Sequence, residues 1–334
     1  MSTIRTFARS YAAAQRRSQQ IQKANTRESL RQYKVQEKAQ TLQTNRDIVQ
    51  QYNELIHNLI SMHREPFSII DWKDVSEEPA PDEPQRGNTA EQRARDALHL
   101  YSPTLLDKLL VQQKKKVKKL NAALETAKQK DNLESLVAKD AWLADITEWE
   151  TMQVLAKGIL QRDIDSYRDA TNKLIPFASL PVGKSLRIDF EPMHVTIDLV
   201  LNTDEVIPDT VYTLTSSGKL SEKTMPPSKR NDYYQDHVCS SMIRTAIETV
   251  AVLPVAFVVV NGLLDLLNPA TGKMDEQAVA SVAFVPETLQ KLNLANADPS
   301  DAVRNFIHNM KFSKSNGFQP VPRIDAKKLV IASH

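Results

Sequence analysis

The sequence predicts an α+β fold: long N-terminal helices with an antiparallel coiled-coil hairpin, then a mixed α+β C-terminal domain. Three observations point to it. Ser2 to Met62 contains neither proline nor glycine and is rich in Gln, Arg, Lys and Ala, a composition of high helix propensity. Between Thr89 and Leu174, apolar residues recur in steps of three and four. From about Ile175 the pattern changes to alternation broken by turn residues, as strands require. Helices and strands segregated along the chain favour α+β over α/β.

Residues 1–63 are expected to form one long basic amphipathic helix. A seven-residue spacing links Ile21, Glu28, Val35, Leu42, Val49 and Ile56, but companion apolar positions, Tyr52 and Leu59, appear only near its end. Leu42 to Met62 suits equally a helix packed on its own protein and an intermolecular coiled coil. Residues 64–88 are expected to be an acidic linker, because Asp71 to Asn88 combines three prolines, a glycine and many acids.

Residues 89–174 are expected to form a helical hairpin. Ser102 can cap, and Pro103 open, a helix with a heptad of Leu106, Leu110, Gln113, Val117, Leu120, Leu124 and Ala127. Leu106, Leu110, Val117, Leu120 and Leu124 are the candidate oligomerisation residues. After a polar break at Lys130 to Asn132, a second stripe contains Trp142, Ile146, Trp149, Met152, Leu155 and Ile159. Lysines accompany the first stripe, and Asp140, Asp145, Glu148 and Glu150 the second, so the two arms would match in charge.

Residues 175–334 are expected to form the α+β domain. Leu186, Ile188 and Phe190, then Val195, Ile197, Leu199 and Leu201, alternate as a β-hairpin. Val211 to Leu214 predicts a strand and Ser217-Gly218 a turn. Asp232 to Val250 predicts a helix ended by Pro254, and Val255 to Val260 a buried strand paired with Val279 to Val285. Helices at Pro286 to Leu292 and Pro299 to Met310, the second capped by Asp298 or Ser300, and a last strand from Phe318 to Ile324, complete the domain.

Composition narrows the function classes. The net charge of +2 over 334 residues excludes a polybasic chain as a whole. A single cysteine, Cys239, excludes internal disulfides and cysteine-only metal sites and fits a reducing cytoplasm. The basic start lacks the apolar core of a secretory signal, and Val250 to Val260 is too short to span a bilayer, so no membrane partner is expected.

The catalytic inventory is thin. His194, Thr196 and Asp198 share one face of a strand, and Asp189 and Glu191 can face them across the hairpin. Asp189, Glu191, His194 and Asp198 together could support acid–base chemistry or hold one metal ion, or simply form a solvated sheet face. Asp236 and Cys239 are neighbours on a helix, with His237 turned elsewhere and His308 in a distant segment; a structural cysteine is the expected outcome. No phosphate loop, serine elbow, paired-histidine zinc helix or calcium loop is present, and no cofactor or metal is expected. Charge is the better lead. Arg5, Arg9, Arg16, Arg17, Lys23, Arg27, Arg31, Lys34, Lys38 and Arg46 stand against only Glu28 and Glu37, and Lys114, Lys115, Lys116, Lys118 and Lys119 form a second patch. Such runs suit a phosphate backbone, or the solvation of exposed helix faces.

The segments YYQDHVCSSMIRTAIETVAVLP, LLNPATGK and DPSDAVRNFIHNMKFSKSNGFQPV resemble an uncharacterised bacterial family that joins a long helical region to an α+β module. The resemblance covers roughly Ile188 to Ile324, and more weakly Ala90 to Phe177. It implies a bacterial or phage-related, cytoplasmic origin and brings no activity or active site with it. The resulting expectation is a non-enzymatic interaction or assembly protein acting by self-association or protein binding through its helices, with the α+β domain as a docking surface. The alternative is a nucleic-acid-binding accessory protein of a bacterial defence or mobile-element system, and a hydrolase using the carboxylate/histidine cluster comes third.

Overall fold

The computed structural model describes residues 2–102, 113–175, 183–268 and 271–332. The chain divides into two compact units, residues 1–68, 176–251 and 255–334 in one, and residues 69–175 and 252–254 in the other. Helices dominate the N-terminal half and a mixed sheet the C-terminal half, so the fold is α+β.

The first unit begins with α1 (Ser2–Ile60), one uninterrupted helix as its composition predicts. Six strands, β1 (Ser185–Phe190), β2 (His194–Val200), β5 (Phe257–Asn268), β6 (Lys273–Phe284), β7 (Ile307–Ser313) and β8 (Gly317–Gln319), form a sheet in the order β1-β2-β5-β6-β7-β8. All neighbours are antiparallel except β2 and β5. The parallel pair is joined through β3 (Thr210–Leu214), β4 (Leu220–Thr224) and α6 (Pro227–Val252), the long crossover that parallel strands need.

α6 is the centre of this unit, and every residue from His237 to Ile247 is buried. On the sheet side Met242 reaches Gly262 of β5, where an added Cβ would stand 3.3 Å from its sulfur and 3.0 Å from Leu201. On another side the turn after α1 closes over it. The Leu59 carbonyl meets His237 Nδ1 at 2.9 Å, the His63 amide donates to Ser240 Oγ at 3.1 Å, and Glu65 pairs with Arg244 at 3.0 Å. Arg244 also pairs with Glu248 one turn on. Ser241, Thr245 and Thr249 lie in the same buried helix, and each hydroxyl donates to the carbonyl four residues back, at 2.8–2.9 Å. These bonds let the helix carry hydroxyls through a core that would otherwise leave them unsatisfied.

The last two turns of α1 pack on their own unit. Tyr52, Ile56 and Met62 are buried, Tyr52 meets Tyr212 edge-on at 5.8 Å, and Asn45 donates to the Gly218 carbonyl at 3.1 Å. Gly218 holds φ +78 in the β3–β4 turn, and a Cβ there would come within 2.6 Å of Leu42. Leu42 to Met62 is therefore an intramolecular packing face.

Two expected elements differ. The helix of Pro299 to Met310 stops at Ala302, and Ile307–Ser313 becomes β7, because β6 presents a free edge that pairs Ala280 to Ala283 with Met310 to Ile307. Phe318 to Ile324 yields only the short β8. The chain then runs extended beside the sheet, held by the Val321 amide on the Ala278 carbonyl at 2.8 Å, into a C-terminal helix (Ala326–Ala332).

The second unit is built on α4 (Gln113–Leu160), with α2 (Trp72–Glu77), α3 (Thr89–His99) and α5 (Ile164–Leu174). No break occurs at Lys130 to Asn132. Asp131, only 4% exposed, accepts from the amides of Ala90 and Glu91 at 3.2 and 2.7 Å, and so caps α3 from across the interface. Asn88 makes no side-chain cap bond. The hairpin forms between α3 and α4, with Val117, Leu120 and Leu124 half-buried on the face of α4 that bears Asp131; Pro103, Leu106 and Leu110 lie outside the described residues.

The expected linker is likewise a packed strap. Asp71 caps α2, Trp72 is buried with its indole N–H on the Val252 carbonyl at 2.6 Å, and the chain then runs antiparallel along α4. Gln153, Trp149 and Trp142 donate in turn to the carbonyls of Val75, Glu78 and Pro81, at 2.6, 3.0 and 2.9 Å. Extended, proline-bearing backbone leaves the Glu78 and Pro81 carbonyls without a helix or sheet partner, and the tryptophans of the second stripe supply donors at matching spacing. α4 ends with Arg162 at φ 59, its amide bonding back to Ile159, and Gly158 clears the way for Ser166 of α5.

Replacing Asp131 with Ala is expected to destabilise this unit by about 1–2 kcal/mol, the usual cost of a lost helix cap. Chemical denaturation monitored by circular dichroism reads this, and an unchanged midpoint would contradict the capping role.

Candidate nucleic-acid interface

Along α1, positions 5, 9, 16, 23, 27, 31, 34 and 38 are each Arg or Lys. At 100° per residue they fall within an arc of about 80° on the continuous helix. Glu28 and Glu37, the two acids of this stretch, sit about 80–100° away from the centre of that line. Arg17 and Arg46 lie off it. Every residue from Arg31 to Thr41 is exposed, on all sides of the helix, including Tyr33 and Val35 at 64% and 68%. Arg31, Lys34, Lys38 and Arg46 are exposed, and among the described residues no acid pairs with them.

The same line continues toward the C-terminus as Leu42, Asn45, Val49, Tyr52, Ile56 and Leu59, the face that docks on β3, β4 and α6. One helix face is thus basic for its first two-thirds and apolar for its last third. The docked third anchors the helix, and the basic two-thirds is left without packing of its own over Arg31 to Thr41. A helix segment without tertiary contacts is marginal in water and gains from a partner.

Lys114, Lys115, Lys116, Lys118 and Lys119 are exposed on the first turns of α4, in the other unit.

The four members of the carboxylate/histidine group have different surroundings. Asp189 and Thr196, and Arg187 and Asp198, are register partners, so Asp189 and Asp198 do share a face. Asp198, however, accepts from Asn261 at 3.0 Å and from Arg323 at 3.0 Å, with Arg187 3.6 Å away. Arg187 also binds Glu276 in a two-pronged pair. Asp189 and Glu191 are exposed, while His194 is buried and stacked on Phe257, centroids 5.1 Å apart. Among the described residues no group of three or more His, Cys, Asp or Glu side chains is placed to hold a metal ion.

What sequence reasoning missed is that Asp198 belongs to a polar row crossing five strands. Arg187, Asp198, Asn261, Ser281 and Asn309 are successive register partners. Ser281 Oγ donates to Asn261 at 2.7 Å and accepts from the Ile324 amide at 2.9 Å, and Asn309 donates to the Pro322 carbonyl at 2.8 Å. With Ile324, Ala326 and Leu329 packed on Phe257, Val259 and Ala283, the row fastens the C-terminal segment to the sheet. A lone Asn inside the apolar run of β5 and a lone Ser inside that of β6 were its signals. Asp198 is engaged inside the molecule, while Asp189 and Glu191 stay exposed on the hairpin.

Cys239 is buried with its thiol pushed far up by burial, and its sulfur touches Met310 at 3.9 Å, so it is structural. His237 is bonded to Leu59, and His308 to the Phe306 carbonyl at 2.9 Å. The sequence reading passed over His63, which is wholly buried. Its Nε2–H donates to the Ala297 carbonyl at 3.2 Å, which leaves Nδ1 to accept from Ser240 at 2.9 Å. Burial holds both His63 and His237 below the usual histidine range. Lys314, in the polar loop before Gly317, pairs with Asp232 at 2.6 Å.

Asp236, on α6, is pushed up to about 7, first by burial and then by the carboxylates of Asp298 and Asp232, against a hydrogen bond from Ser300 and the charge of Lys314. A raised carboxyl favours the protonated native state, so its contribution to stability is complete below the ordinary carboxylate range and is lost as pH rises through about 7. Asp236→Asn is therefore expected to be more stable than the parent at alkaline pH, with the gap closing toward acid. Denaturation of both proteins across this window checks it, and a gap that does not change with pH would refute it.

Among the described residues no helix is long and apolar enough to cross a membrane. No known protein family, curated protein or solved structure matches the chain.

Proposed function

We propose that this chain is a non-enzymatic interaction protein that grips the phosphate backbone of nucleic acid through the basic face of α1, with the α+β domain as a second docking surface. The observation that carries the reading is the alignment of eight Arg and Lys positions on one face of a continuous helix, with both nearby acids off that face. The line runs over about 50 Å of helix, comparable with one and a half turns of B-DNA. Contacts of this kind position a protein on a duplex without reading its sequence.

The hydrolase reading is the weaker one, because Asp198 is engaged by two arginines and an asparagine and is not available as a base. The likeness of the C-terminal residues to a bacterial family fits a bacterial or phage-related, cytoplasmic setting, with a defence or mobile-element system as the natural place for a nucleic-acid-binding accessory protein.

Fluorescence anisotropy of the full chain with duplex DNA and RNA tests the proposal. Neutralising six or more phosphates predicts an affinity loss of about a thousandfold or more between 50 and 200 mM salt. The triple variant Arg31→Glu, Lys34→Glu, Lys38→Glu is expected to reduce the log–log salt slope by about 3. These residues are exposed, so the variant keeps the fold. Salt-independent binding, no binding, or an unchanged slope in the variant would each overturn the reading, and retained capture of an acidic protein alone would replace nucleic acid by such a partner.

A further inference from the structure

The two halves of α4 carry opposite charge. Residues 114–130 hold seven lysines and one acid, Glu125, whereas residues 131–150 hold six acids and one lysine, Lys139. A hairpin would bring these halves together within one chain. Because Gln113–Leu160 is a single helix, the halves cannot fold back on each other, and they meet at their junction, where Lys130 pairs with Glu134 at 3.7 Å.

The helix also has a second apolar face. Asp131, Trp142, Trp149 and Gln153 point one way, to α3 and the strap. On the opposite side Leu133, Leu136 and Val137 are 64%, 60% and 62% exposed, and Leu143 follows at 48%. Leu133, Leu136 and Val137 form one patch, Leu143 flanks it beyond Asp140, and Ala122 continues it toward the lysines. Three large apolar side chains grouped on one exposed face, with a fourth beside them, mark an interaction surface rather than scattered surface residues.

We propose that this outer face of α4 is a self-association surface, on which two copies of the chain pair antiparallel with the two-fold axis beside Leu133. Charge selects both the partner and the direction. A second copy laid antiparallel puts its acidic half against the lysines of the first and its lysines against the acids. A parallel copy would stack seven lysines on seven. With the axis at Leu133, that residue meets its own counterpart, Ala122 lies opposite Ala144, and Lys119 lies on the same flank and at nearly the same height as Glu148. Lys119 and Glu148 are both exposed. The surface differs from the heptad of Val117, Leu120 and Leu124, which lies on the α3 side of the helix.

Sedimentation equilibrium of the full chain, free of nucleic acid, tests the proposal. A reversible dimer that weakens with salt is expected. Leu133→Glu with Leu136→Glu is expected to weaken it on the order of tenfold or more, from the loss of buried apolar surface. Glu148→Lys is expected to weaken it as well, and Lys119→Glu in the same chain to restore it. All these positions are exposed, and circular dichroism confirms that the fold is kept. Direction is read by disulfide cross-linking. Leu133→Cys is expected to link to itself, Leu143→Cys is not, and Ala144→Cys mixed with Ala122→Cys is. A chain that stays monomeric at its highest soluble concentration, a dimer indifferent to Leu133→Glu and Leu136→Glu, or self-linking of Leu143→Cys as efficient as that of Leu133→Cys would each overturn it.

Discussion

The burial of the middle of α6 is the constraint on which the first unit depends. Three turns, His237 to Ile247, are buried, so the polar groups on them need partners inside the protein. Ser241, Thr245 and Thr249 find theirs one turn back along the helix. His237, Ser240 and Arg244 cannot, and it is the turn after α1 that supplies the Leu59 carbonyl, His63 and Glu65. The N-terminal helix is thereby tied to a domain far from it in sequence. Its anchored end follows from the polar needs of α6 as much as from the apolar packing of Tyr52 and Ile56.

Unpaired polar groups decide the second unit in the same way. The strap has carbonyls without donors, and α4 has indole and amide donors on an apolar face. Their spacing matches, so the acidic segment lies along the helix instead of hanging free. Asp131 extends the same logic to α3, since a buried carboxylate is tolerated there because the helix offers two unpaired amides and a positive dipole end. The residue that looks like a helix breaker in sequence is the one that joins two helices.

Charge does what packing leaves undone. The basic line of α1 is exposed from Arg31 to Lys38, and so is the split charge of α4 apart from Asp131 and Lys128. Exposed lysines and arginines contribute little to stability, which leaves both patterns to be explained by what approaches from outside. On the sheet, by contrast, Asp198 is fully used within the molecule, so a cluster with a catalytic appearance serves to hold the C-terminal segment.

The sequence by itself determined the long N-terminal helix, the α+β division, the β1–β2 hairpin, the turn at Gly218, the central helix around Cys239 and the paired strands β5 and β6. These follow from period, propensity and turn residues, all of which are local. The basic residues of α1 were legible too, and their alignment is a matter of counting along a helix. Tertiary structure alone decided the rest. Residues 307–313 became a strand because β6 had an open edge, and the acidic segment became a strap because Trp142, Trp149 and Gln153 had donors to place. The two stripes of α4 joined into one helix because Asp131 found the first turn of α3. Asp198 became structural because Arg187, Asn261 and Arg323 converge on it from other segments. In each case the deciding partner lies many residues away, and a polar group's need for a partner says nothing in sequence about which one it will meet.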